Sequence, residues 1–100
     1  MAAGVSLSTD LDDANAIPYF LWDDPMTVGE FKELLSRSSE PERIRLLARV
    51  LREARDTDVW IFTSPAEVAA LFPALRPHLG RRLAFWEFLL GLWRRLGVLP

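Results

Sequence analysis

Arg81-Arg82-Leu83-Ala84-Phe85-Trp86-Glu87-Phe88-Leu89-Leu90-Gly91-Leu92-Trp93-Arg94-Arg95-Leu96 is the stretch whose reading decides the fold class. Its apolar residues Leu83, Phe85, Trp86, Phe88, Leu89, Leu90, Leu92, Trp93 and Leu96 cover nearly every face of one helix. Gly97 follows at the position of a C-terminal cap. A helix that is apolar all round sits centrally in a domain or presses against a partner. A membrane span needs about 20 apolar residues. Glu87 interrupts this stretch and Arg94-Arg95 closes it, so no membrane role is expected.

Three helix starts upstream share one chemical device. Thr27 is followed three residues on by Glu30, Ser39 by Glu42 and Ser64 by Glu67. In each, the hydroxyl can accept from a free backbone N–H and the carboxylate can reach back to the cap's own N–H. Pro41 and Pro65 stand in the first turns, where a missing N–H costs nothing. The spacing predicts helices over about 28–37, 41–55 and 65–72, with a short helical piece limited by Pro73 and Pro77 and ended by Gly80. Val59-Trp60-Ile61-Phe62 reads as a turn or short helix, because no partner strand is in view. Ile17-Pro18-Tyr19-Phe20-Leu21-Trp22 reads as an extended apolar segment that must be buried. Met1 to Ala16 is small, polar and acidic without period. The expected fold is all-α: a compact bundle of four or five helices over 17–100, one domain, with a flexible acidic tail over 1–16.

Composition narrows the function classes. Of 100 residues, half are apolar and 26% charged, which excludes a disordered chain. There is no Cys, which excludes a disulfide scaffold. The net charge of −2 is unevenly spread. Residues 1–40 hold eight acids against two bases, a net of −6. Residues 41–100 hold ten arginines against six acids, a net of +4. Met1 to Thr9 shows no secretory pattern, so a cytoplasmic location is expected.

Catalysis needs groups that titrate or attack near neutral pH. His78 is the single histidine, and no nucleophile partners it in sequence. Asp10, Asp12 and Asp13 lack the glycine and distal glutamate of a calcium loop. The five glycines form no phosphate loop. No enzyme, no metal and no cofactor is therefore expected.

Two binding readings remain. Arg45, Arg49 and Arg52 lie on one side of the second helix, away from Ile44, Leu47, Val50, Leu51 and Ala54, and could touch phosphates. Arg and Trp are also both enriched in protein interfaces. The last helix offers more large side chains than one small core easily absorbs. On that reading a protein partner or homodimer is contacted through Tyr19, Trp22, Asp23, Asp24, Trp86 and Trp93, as contact or scaffold residues.

Several segments resemble a known family. They are Leu21-Trp22-Asp23-Asp24-Pro25-Met26-Thr27-Val28, Leu51-Arg52-Glu53-Ala54-Arg55, Asp58-Val59-Trp60, Pro77-His78-Leu79-Gly80-Arg81-Arg82 and Phe85-Trp86-Glu87-Phe88-Leu89-Leu90 with Trp93. Together they resemble small bacterial helical proteins often encoded beside a nucleotidyltransferase of the Abi toxin type. The resemblance spans Tyr19 to Leu99. The family pattern has a basic residue after its Trp-Asp pair, where this chain has Asp24. The resemblance implies an antitoxin-like accessory that acts by binding, and it brings no catalytic residues.

Overall fold

The computed structural model describes residues 6–99. The fold class is all-α, with four α-helices, several 3-10 turns and one short two-stranded pairing among the described residues. The chain divides into two units, 1–39 and 40–100, where the sequence predicts a tail followed by one domain.

In the first unit, α1 spans Val28–Arg37, the range the sequence predicts. Its start is a full capping box. The Glu30 N–H donates to Thr27 Oγ1 at 3.1 Å, and the Thr27 N–H donates to Glu30 Oε1 at 2.7 Å. The Thr27 backbone N–H, and after it the Thr27 side chain, hold the Glu30 carboxyl below the usual carboxylate range. Val28, Phe31 and Leu35 are buried, at the spacing of one helix face.

Residues 6–16 correct the expectation of a tail. Leu7–Ser8 (β1) pairs in parallel with Ile17–Pro18 (β2), and Leu11 is buried. The acids of the expected tail form turns, together with Ser8: the Asp12 N–H donates to Asp10 Oδ1 at 3.3 Å. The Asn15 N–H donates to Asp13 Oδ1 at 2.9 Å, and the Asp10 N–H to Ser8 Oγ at 2.9 Å. Such local bonds set a turn without any hydrophobic period. The segment then accepts the unpaired N–H groups at the start of α1: Val28 donates to the Ala16 carbonyl and Gly29 to the Ala14 carbonyl, at 2.8 and 3.0 Å. A Cβ on Gly29 would stand 3.3 Å from the Ala14 oxygen, so the close approach suits glycine. The tail expectation for 1–5 lies outside the described residues.

The extended reading of 17–22 is also corrected. Extension ends at Pro18, and Tyr19–Leu21 turn into a 3-10 helix. That turn buries Phe20 and Leu21 and leaves Trp22 outside. Phe20 meets Phe31 edge-on, with ring centroids 6.0 Å apart.

The second unit contains α2 (Glu40–Glu53), α3 (Pro65–Leu75) and α4 (Leu83–Arg95). Leu47, Val50 and Leu51 of α2, Val68, Phe72 and Leu75 of α3, and Trp86 and Leu90 of α4 are all buried. Asp58–Ile61 form a 3-10 turn, as expected, and bury Val59. Pro73 lies inside α3, contrary to the expected stop at Phe72. Pro73 removes only one bond, and the helix ends two residues later, so little intrahelical bonding is lost.

The Ser64 cap is half of the expected box. Ser64 Oγ accepts from the Glu67 N–H at 3.1 Å, while the Glu67 carboxylate turns to Thr63 Oγ1 at 2.5 Å and to Arg43 at 2.7 Å. The α4 end follows its prediction closely. Gly97 has φ +77°, the Gly97 N–H donates to the Arg94 carbonyl, and the Val98 N–H donates to the Trp93 carbonyl. This is the left-handed glycine cap that satisfies the last carbonyls of a helix.

Candidate functional site

The sequence leaves open which side of the last helix faces inward. The structure answers through Trp86. Its side chain is 0% exposed, and its indole N–H donates to the Leu51 carbonyl at 2.9 Å. That carbonyl lies in the last turn of α2, where intrahelical partners run out. Trp60 meets Trp86 edge-on at 5.8 Å between ring centroids. Trp86 as a contact residue is therefore corrected: it is a sealed core residue whose only polar atom is already bonded. Trp93 is half-buried beside Trp60 at 5.7 Å.

With Trp86 and Leu90 turned inward, a second row lies on the other side of α4. Phe85, Phe88, Leu92 and Leu96 recur at i, i+3, i+7 and i+11, which places them along one stripe. Phe88 is 62% exposed and Leu96 67%, while Phe85 and Leu92 are half-buried. Beyond the Gly97 turn, Val98 is 62% exposed. The sequence contained these residues within an all-round apolar helix but did not mark them out. The usable signal was helical spacing, which becomes directional only when the inward face is known.

The rim of the stripe is basic. The Arg82 guanidinium stacks over the Phe85 ring, 4.5 Å from its centroid. Arg81 and Arg95 are exposed. Glu87 is the single acid of α4, and it is already bonded to Arg76.

The remaining protein-binding candidates lie in the first unit. Tyr19 is half-buried, with its ring edge-on to Phe20 at 5.5 Å. Trp22 is 62% exposed, and Asp23 and Asp24 beside it are exposed. The structure thus brings Tyr19, Trp22, Asp23 and Asp24 together in one turn, and Trp86 and Trp93 in one core.

The arginine row on α2 is less open than its spacing suggests. Arg45 is exposed and lies 3.5 Å from Glu42. Arg49 is half-buried. Arg52 donates to the His78 carbonyl at 3.0 Å and pairs with Glu53 at 3.2 Å. His78 itself is exposed on the 3-10 turn Arg76–His78.

In the first unit an open groove of about 480 Å³ is lined by Met26, Glu30, Glu33, Leu34 and Arg37. Its Glu30 is the carboxylate already committed to the α1 cap. Among the described residues, no group of three or more His, Asp or Glu could hold a metal ion, and no helix is long and apolar enough to cross a membrane. No family model, no curated protein and no solved structure matches this chain.

Proposed function

We propose that this chain is a non-enzymatic protein-binding accessory whose partner docks on the outward stripe of α4. The observation that carries the reading is the exposure of Phe88 and Leu96 on one helix face, with Val98 beyond the cap. Single exposed apolar residues are ordinary on protein surfaces, but a helical row of them marks an interaction site. Helix-in-groove recognition uses anchors at this spacing. The resemblance supplies the partner class: a nucleotidyltransferase toxin, which an antitoxin-like binder would neutralise or assist. The contacts that Arg45 and Arg52 make within the chain favour this reading over a nucleic-acid-binding one.

Light scattering gives the test, applied to the chain alone and with the protein encoded beside it. A stable complex is expected. Phe88→Asp should abolish it and leave unfolding stability within about 0.5 kcal/mol, as surface changes do. Trp86→Ala should instead cost roughly 3–5 kcal/mol, as a core truncation does. A Phe88→Asp variant that still forms the complex would overturn the α4 assignment.

A further inference from the structure

We infer that the partner element received by α4 is an acidic amphipathic helix, an inference that rests on the protein-binding reading and names the chemistry of its partner. The argument is charge complementarity around the stripe. Arg81 and Arg82 precede α4 and Arg95 closes it on the side of the stripe, while Arg94 stands half a turn away, beside Ala66, Ala69 and Ala70 of α3. Glu87 is the only acid on this helix, and its carboxylate is bonded to Arg76. Among the described residues, Arg81, Arg94 and Arg95 make no ion pair. Arg82 sits over the Phe85 ring, with Nε and Nη2 buried and unpaired among the described residues.

An apolar row framed by arginines selects its ligand on two grounds. The row needs apolar anchors at i, i+3 or i+4, and i+7 on the incoming helix. The frame needs carboxylates on that helix's flanks, because like charges brought together across an interface are strongly disfavoured. The same reasoning argues against a second copy of this chain meeting stripe to stripe. Such a pairing would bring two arginine frames together with no acid on either α4 left to offset them. Arginine is well suited to this frame, since its planar head pairs with carboxylates in two-point fashion and stacks on aromatic rings.

The test uses three labelled peptides: two helical ones share one leucine row, with glutamate flanks on the first and lysine flanks on the second, and the third scrambles the glutamate sequence so that the row is lost and no binding is expected. Anisotropy titrations against the full chain should show the glutamate peptide binding about tenfold tighter or more than the lysine peptide. Its binding should weaken as salt is raised, since exposed charge pairs are screened. Phe88→Asp should abolish binding, and Arg81→Glu with Arg95→Glu should reverse the preference, with circular dichroism confirming the fold of each variant. Equal binding of both charged peptides, lost on Phe88→Asp, overturns the acidic partner and leaves the protein-binding face standing. Failure of all three peptides to bind, or self-association of the chain that Phe88→Asp disrupts, overturns the inference as well.

Discussion

Glu67 shows how one side chain serves several demands. Its backbone N–H completes the Ser64 cap, while its carboxylate holds Thr63 and Arg43. Partial burial pushes that carboxyl up, but the hydrogen bonds from Thr63 and Arg43 and the Arg43 charge outweigh it, so it titrates below its ordinary range. A carboxyl depressed in the folded state stabilises the fold above its unfolded value, about 4.3, and that contribution fades as pH falls through the folded value. The melting temperature should therefore drop more steeply with acidification below about pH 5 in the native chain than in Glu67→Gln. Parallel melting curves would show that the carboxylate contributes nothing. The site is partly open to water, so the effect should be modest. Sequence spacing revealed that Ser64 caps α3. It could not reveal that Glu67 would leave the box, because Arg43 is 24 residues away in sequence and competes only once the chain has folded.

The helices divide into those that their own sequence specifies and one whose orientation their neighbours decide. The bounds of α1 follow from Thr27, Glu30 and the Phe31–Leu34–Leu35 row, all local signals. The end of α4 is equally local. Gly97 sits in the left-handed region, where a side chain costs about 1 kcal/mol or more. Gly97→Ala should lower stability by about that amount in chemical denaturation, and an unchanged midpoint would mean the cap frays without consequence. Other features were not legible. The β1–β2 pairing involves two residues on each side, too few to show alternation. The facing of α4 was hidden because its apolar residues recur all round the helix. The inner side is set by contacts distant in sequence, among them the Trp86 bond to Leu51, 35 residues away, and the packing of Trp60 on Trp86. The outward row is thus what remains of an over-apolar helix after the core has taken its share.

Across the whole chain, charge separates along the same division as structure. The unit 1–39 carries seven acids and two bases, and the unit 40–100 ten arginines and seven acids. The sequence showed this asymmetry, but as an acidic tail rather than a folded unit. Charged and small residues make turns through side-chain bonds that periodicity does not register. The binding reading survives that correction, because its carrying observation lies entirely within 40–100.

The four tryptophans follow the same division unequally: Trp22 alone belongs to 1–39, and Trp60, Trp86 and Trp93 to 40–100. Trp22 is mostly open to water, and Trp86 is fully enclosed. Iodide should therefore extinguish a red-shifted part of the emission and spare a blue-shifted part, giving a downward-curving Stern–Volmer plot. Replacing Trp22 with Phe should remove most of the accessible fraction. A protein seated on the Trp22–Asp24 turn should shield the Trp22 emission from iodide. The chain thus carries its own optical record of whether that turn is covered.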